Sequence, residues 1–449
     1  MNPSPKDKKR SMLEGSPGRA LFFFALPMIL GNLFQQFYNM VDSMIVGRFV
    51  GEEALAAVGA SYALTNVFVM IAIGGGIGAS VITSQYLGAG NYEKMKTSVS
   101  TALFTFLGMG VLLGIFGFAM NRQILIWLNT PENILAAAGT YLGIYFLGMP
   151  FLFMYNILSS MFNALGDSRT PLLLLIFSSI LNVFLDLWFV LQFGLGVSGV
   201  AIATVIAQGM SAVISFALLL RRLMEFRTEG CVEKYDTVIL GSMVKIAVPS
   251  ILQQSIVSIG MLLVQSVVNG FGSSVLAGYA AGPRIESICI VPMISTGNAV
   301  STFTAQNMGA DKAERARRSL YYSLAITVGW GLCCALYSQF LPHTLVGIFT
   351  RDDAVLAAGC AYLQSYAFDC VFAAVHFCFS GYFCGDQKSM VSFIHNITAI
   401  VLVRIPGAWL ASRLFPASLY PMGWAAPLGS LLSAVICVGF YLYYRKRGK

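Results

Sequence analysis

Charge is scarce in this 449-residue chain: Asp, Glu, Lys and Arg make up 11% of it, and 57% is hydrophobic. A soluble globular protein carries about 25% charged residues, so a water-exposed fold does not fit. Histidine occurs three times and no C-x-x-C pair is present, which removes the common zinc and dithiol frameworks. The nine cysteines all lie from Cys231 onward, mostly within apolar runs, and are expected to be reduced packing residues. A Walker loop, a His-Asp-Ser set inside a span and a redox motif are all missing. Gly74-Gly75-Gly76-Ile77-Gly78 lies in mid-span with no strand before it, so it is expected to serve close helix packing and not phosphate binding. Neither an enzyme nor a cofactor is expected. The apolar runs are continuous and do not alternate over ~10 residues, which excludes barrel strands. The polar, basic stretch 1–19 precedes an apolar run too long for a signal-peptide core, so the first span is expected to act as its own insertion signal.

What is present is a series of apolar runs, each near the ~20 residues a spanning helix needs. Twelve spans are expected at 20–47, 54–82, 97–120, 133–163, 171–192, 197–221, 241–268, 275–304, 319–341, 354–383, 390–413 and 423–444. The fold class is therefore all-α integral membrane. Orientation follows from Lys and Arg in the loops. One side holds 21 of the 28, among them Lys6, Lys8, Lys9, Arg10, Lys388 and Lys449, and the other only Arg48, Arg122, Arg351 and Arg413. Both termini and the central connector are expected in the cytoplasm, in a multi-pass protein of the cell inner (plasma) membrane. The net charge of +8 is dispersed beside spans, so nucleic acid is not an expected partner. The lipid bilayer is, and the chain is expected to be a monomer.

The chain repeats itself. Leu26-Pro27-Met28-Ile29-Leu30 recurs as Val248-Pro249-Ser250-Ile251-Leu252, and Gln85-Tyr86-Leu87-Gly88-Ala89 as Gln306-Asn307-Met308-Gly309-Ala310. Thr130 to Gly139 resembles Thr350 to Gly359, and Gly166-Asp167-Ser168-Arg169 matches Gly385-Asp386-Gln387-Lys388. A near-constant offset marks duplication of a six-span unit. Six is even, so the halves share one orientation and are related by an axis along the membrane normal, a transporter architecture. The expected division is an N-terminal tail 1–19, an N-lobe 20–221, a linker 222–240, a C-lobe 241–444 and a tail 445–449.

Duplication gives an internal comparison: a polar residue in one half only is more telling than a shared one. In the first span Gln35, Asn39 and Asp42 fall at i, i+4 and i+7, on one helical face. An acid at that depth is costly in lipid and marks a functional site by default. Its copy is aliphatic, Leu263 or Val264. Asn182 and Asp186 lie one turn apart in the fifth span, with Ser178 a turn before. An offset of 219 sets Val401 and Ile405 opposite them. Thr204 and Gln208 form a polar stripe in the sixth. These hard oxygen groups suit a proton or a small cation such as Na⁺. The C half has its own charges inside spans, Arg284, Glu286, Asp369 and Arg404, of which Glu286 and Asp369 are candidate substrate contacts.

The chain resembles the multidrug and toxic compound extrusion (MATE) transporters over nearly its whole length. The resemblance rests on Pro27 with Asp42-x-x-x-x-Gly47, Gln85-x-x-Gly88-Ala89-Gly90, Gly166-Asp167 before Thr170-Pro171, Gly196-Val197-Ser198-Gly199-Val200-Ala201, and Arg284-Ile285-Glu286 leading to Gln306-Asn307-x-Gly309-Ala310. It implies two six-helix lobes in a V around a central cleft, and antiport of cationic, amphipathic drugs against Na⁺ or H⁺ by alternating access. It also implies a coupling-cation site at Asp42, Asn182, Asp186 and Thr204, with a backbone carbonyl near Val200. Gln35, Asn39, Tyr145, Asn156, Met261 and Gln265 are expected to line the drug cleft. One branch of the family carries a Glu in the seventh helix paired with an Asp in the tenth. Here the seventh span has no acid, which leaves Asp369 alone. A lipid-linked oligosaccharide flippase of a related superfamily is the alternative, and the N-half acids argue against its cationic cleft.

Overall fold

The chain is described by a computed structural model over residues 12–447, apart from 129, 229, 269–272, 349–351 and 416–417; the side chains of 63, 273–283 and 354 are not part of the description. Lys6, Lys8, Lys9, Arg10, Arg351 and Lys449 therefore lie outside the described residues.

Helices, and no strands, form among the described residues. The first half runs α1 (Pro17–Ile45), α2 (Glu52–Gly88), α3 (Tyr92–Trp127), α4 (Glu132–Leu147), α5 (Met149–Ala164), α6 (Arg169–Leu191) and α7 (Gly196–Met224). The second runs α8 (Thr237–Val268), α9 (Ser273–Gly309), α10 (Ala313–Phe340), the short α11 (Pro342–Val346), α12 (Asp353–Tyr366), α13 (Asp369–Gly385), α14 (Ser389–Ala399), α15 (Ile405–Leu414), the one-turn α16 (Tyr420–Gly423) and α17 (Ala425–Lys446). A π turn, Val46–Val50, follows α1, and another, Ile400–Arg404, joins α14 to α15.

Among the described residues ten helical segments are individually long and apolar enough to cross a membrane, and two bent pairs, each counted as one span, bring the number to twelve. The expected continuous spans 133–163 and 354–383 are in fact broken: α4 and α5 meet at 52°, and α12 and α13 at 44°. Pro150 explains the first bend, since it cannot donate to the carbonyl one turn back and its ring crowds that turn. The second break has no proline. It falls where Asp369 opens α13, 221 residues after Gly148.

The same spacing governs the turns. Gly90 (φ +70°) and Asp311 (φ +56°) end α2 and α9 in left-handed conformation, as do Gly166 (φ +81°) and Gln387 (φ +58°) after α5 and α13. The bonds repeat as well. Gly166 N–H donates to Asn163 and Asp167 N–H to Phe162, as Gln387 donates to Cys384 and Lys388 to Phe383. The partner of Gly166 is thus Gln387, not Gly385. The Gly-Asp likeness read at an offset of 219 is two residues out of register, because backbone geometry and not residue identity defines the turn.

The helices pack into two compact units. One is Leu30–Ala247; the other joins Met1–Ile29 to Val248–Lys449. The lobes therefore do not begin with their own first helix, as a division at 20 and 241 had it. Leu21, Phe24 and Ala25 of α1 pack with Phe303, Phe379, Phe383 and Tyr441 of the second unit. Arg315 and Asn307 also hold the Met12 carbonyl there. The opening of α8 packs in the first unit, where Gly78 lies against Met243 and Ala247. Pro27 and Pro249, each inside its helix, sit within two residues of these changeovers. The linker is tied to α3 as well: the Glu233 and Lys234 carbonyls accept from Ser100, and the Asp236 N–H donates to Thr101.

Small residues set the helix spacing, as expected where lipid gives no hydrophobic drive to association. In α3, Gly110 and Gly114 lie against Pro150 and the Phe146 carbonyl, so an added Cβ would come within 2.8 and 2.7 Å. In the glycine run of α2, a Cβ on Gly75 would meet Phe106 at 2.8 Å, the close packing expected of it. In the second unit Gly381 of α13 lies directly on the Gly297 carbonyl of α9. Leu112, Ile115 and Phe116 of α3 point outward, as lipid-facing residues must. Gly381→Ala is expected to destabilise the protein by about 1–3 kcal/mol through overpacking. Gly439→Ala, with open space at its Cβ, is expected to leave the melting temperature unchanged or slightly raised. Thermal unfolding in detergent compares the two.

Candidate cation site

Helical spacing on α1 presents Gln35, Tyr38 and Asp42 on one side, and α6 presents Asn182 and Asp186 one turn apart. With Thr204 of α7 they meet inside the Leu30–Ala247 unit. Asn182 (1% exposed) and Asp186 (0%) are fully buried. The Asn182 amide is the hub. Its Oδ1 accepts from the Tyr38 hydroxyl at 2.5 Å, and its Nδ2 lies 3.4 Å from both Asp186 Oδ1 and Thr204 Oγ1. Turned over, the amide would donate to Asp186 Oδ2 at 3.1 Å and accept from the Thr204 N–H at 3.1 Å. Either setting uses the same neighbours. Thr204 donates to the Val200 carbonyl at 3.0 Å, and Val200 is buried with Val46, Ala54 and Val190.

Asp42 and Asp186 are electrostatic neighbours. Among the described residues neither is paired with Lys or Arg. Asp42 Oδ1 is buried without a hydrogen-bond partner. Two carboxylates at spanning depth with no basic partner are expensive as bare anions. The arrangement is stable when a proton or a small cation sits between them. Asn182 and Thr204 add oxygen donors of the kind a hard cation takes.

A cavity of about 50 Å³ opens onto this cluster, lined by Gln35, Tyr38, Tyr155, Ser178, Asn182, Thr204 and Gln208. The Gln35 amide donates to the exposed Asn39 at 3.0 Å. Tyr145 is buried and stacks on Tyr141 at 6.2 Å. Asn156 bonds back to the Leu152 carbonyl of its own helix and does not line this cavity. Tyr38 was not singled out from the sequence. Its position three residues after Gln35 and four before Asp42 is the signal that finds it.

A profile described as MatE matches residues 27–188 and again 249–410, one copy in each half. The chain belongs to the MatE family. Among curated relatives of this MATE chain, the probable multidrug resistance protein YpnP of Bacillus subtilis is 28% identical over 98% of this chain and 97% of its own. A FAD transporter of Shewanella oneidensis is 24% identical over 97% and 96%. The solved outward-facing conformation of a multidrug resistance MATE family transporter matches 99% of this chain and 98% of its own, with a TM-score of 0.89 at 22% identity. That likeness speaks for the fold.

The other candidate positions of the MATE chain lie in its second unit. Met261 is exposed and Gln265 half-buried on α8. Asp369 (0% exposed) is not alone. Arg404 Nη2 reaches its two oxygens at 3.3 and 3.4 Å and donates to Ser430 at 2.9 Å. Glu286 (7%) lies beside it and bonds Tyr366. The π turn Ile400–Arg404 carries the arginine inward, a common use of such irregularities. His376 lies 3.5 Å from Ser430, and its ring is 5.6 Å from that of His395, which bonds Ser380 at 2.7 Å. His376 Nδ1 has no partner to orient it, so the Ser-His contact lacks the third member of a hydrolytic set. His395 drew no attention in the sequence, although Ser389, Ser392, His395 and Asn396 recur at three- and four-residue spacing and share the buried face of α14.

Arg404 is the resident cation of two buried carboxylates, so its removal strands them. Arg404→Leu is expected to cost about 3–5 kcal/mol of stability. Arg404→Leu with Asp369→Asn is expected to recover a large part of it. A double-mutant cycle of thermal unfolding measures both.

Proposed function

We propose that this MATE chain is a secondary active multidrug exporter of the cell inner membrane that antiports cationic, amphipathic drugs against Na⁺ or H⁺. The observation that carries the reading is the facing pair Asp42 and Asp186, with a buried Asp42 oxygen lacking any hydrogen-bond partner. The coupling cation binds at Asp42, Asn182, Asp186 and Thr204 and neutralises the pair. Loss of their repulsion draws α1 and α6 together, and Pro27 gives α1 a place to bend. In the Leu30–Ala247 unit the drug contacts are Gln35 and Asn39 beside the cation site; Met261 and Gln265 are candidate contacts of the other unit, while Asp369 and Glu286 are engaged by Arg404 there. The Val200 carbonyl completes the cation shell when the Thr204 hydroxyl turns away from it. The cavity beside the acids carries no Lys or Arg in its lining, which favours a cationic cargo over an anionic one such as FAD.

The driving force is adequate. A membrane potential gives about 2.3 kcal/mol per charge per 100 mV, and a tenfold ion gradient about 1.4 kcal/mol. One cation exchanged for a monocationic drug moves no net charge, so the tenfold ion gradient alone sustains about a tenfold drug gradient; for a neutral drug the potential adds its share and the limit is roughly 500-fold. The 21-to-4 excess of Lys and Arg on one side supports a cytoplasmic location for both termini.

Efflux of a fluorescent cationic dye from proteoliposomes tests the reading. A Na⁺ jump and a pH jump, applied separately, identify the ion. Asp42→Asn and Asp186→Asn are each expected to lower ion-driven efflux at least tenfold, and Thr204→Val and Tyr38→Phe to lower it less. Full coupled efflux in either Asp variant would overturn the proposed site. Absence of dye efflux under both jumps, with FAD moving instead, would overturn the substrate class.

A further inference from the structure

The second unit holds a pocket that the coupling mechanism does not use. It is a shallow surface recess where the start of α10, the turn after α13 and the end of α17 converge, and Asp386 is among its lining residues. Three basic residues line it, Arg317, Lys388 and Arg445, with a wall of Tyr382, Tyr441 and Tyr444. The left-handed Gln387 turns the chain so that the Lys388 ammonium sits 4.2 Å above the Tyr444 ring. Lys388 is held by Asp386 at 2.6 Å, so its charge is already matched. Arg317, its side chain 32% exposed, lies 3.7 Å from Glu314, whose side chain is 67% exposed. Arg445 is exposed and has no carboxylate partner among the described residues. Arg317 and Arg445 are therefore the two charges free to turn to an incoming anion. The first turns of α10 add the positive end of a 28-residue helix beside Arg317. The Tyr441 hydroxyl, fixed by Tyr321 at 2.8 Å, keeps the pocket wall rigid.

A basic, tyrosine-walled pocket between spanning helices, at the end of the bundle carrying the excess of Lys and Arg, has the chemistry of a phosphate site at the membrane surface. We propose that this pocket binds a phosphate anion, either the headgroup of an anionic phospholipid or free phosphate. Arginine suits this because its planar fork grips phosphate oxygens in pairs. An occupant would bridge α10 and α17 and tie the carboxyl end of the chain to the second unit. The inference stands apart from the coupling site, which lies in the other unit.

The test uses the full chain in detergent. Binding of phosphatidylglycerol, phosphatidylcholine and inorganic phosphate is read by native mass spectrometry and by the shift in melting temperature. Wild type is compared with Arg317→Gln, Arg445→Gln and the double variant. Each single change is expected to weaken binding of the anionic ligand roughly fivefold, and both together about thirtyfold, with phosphatidylcholine unaffected. Loss of phosphatidylglycerol binding identifies a lipid site; loss of inorganic phosphate binding alone identifies a free-anion site. Wild-type binding of both anions by the double variant overturns the proposal, as does equal binding of phosphatidylcholine and phosphatidylglycerol. Unchanged dye efflux from phosphatidylcholine vesicles shows that the variant is folded.

Discussion

Negative charge buried without a partner is the constraint on which this molecule turns. At spanning depth a carboxylate has no water to hydrate it, so it must be neutralised by a proton, a cation or a basic side chain. The two units answer this in opposite ways. In the Leu30–Ala247 unit, Asp42 and Asp186 face each other with amide and hydroxyl oxygens around them and no basic residue among the described neighbours. In the other unit, Arg404 is built in against Asp369, with Glu286 beside it. One unit leaves a place for an exchangeable charge, and the other fills it permanently.

That asymmetry is laid on a symmetric scaffold. The turns after α2 and α9 and after α5 and α13 repeat with one spacing and one hydrogen-bond pattern, and the spans following both α3 and α10 are broken in two. At the broken spans the copies diverge: glycine at Gly148, an acid at Asp369. A break frees backbone groups and admits polar side chains that a straight apolar helix would exclude. The scaffold therefore supplies polar positions in both halves, and substitution after duplication decides what each holds.

The way α1 and α8 each begin in one compact unit and continue in the other gives the scaffold a mechanical consequence. Asp42 of α1 belongs to one unit, and Phe24 and Ala25 of the same helix pack in the other. Pro27, between them, removes a helix hydrogen bond at the changeover, so bending there costs less than in an unbroken helix.

Much of this was written in the sequence. Apolar run length determined the spans, because a bilayer imposes one thickness on every crossing. The duplication and the one-sided acids were legible because they are matters of spacing and residue type. Helical spacing grouped Asn182 with Asp186 and Thr204 with Gln208, and the resemblance to the MATE transporters gathered them with Asp42. Tertiary structure alone decided the rest. The register of the Gly166 turn against Gln387 depends on backbone conformation, which residue identity does not encode. The break at Asp369, which no proline marks, was not legible, whereas Pro150 marks the one at Gly148. The pairing of Arg404 with Asp369, 35 residues apart, and the approach of Asp42 to Asp186 depend on helix packing. Charges distant in sequence become partners only when close-packed small residues bring their helices together.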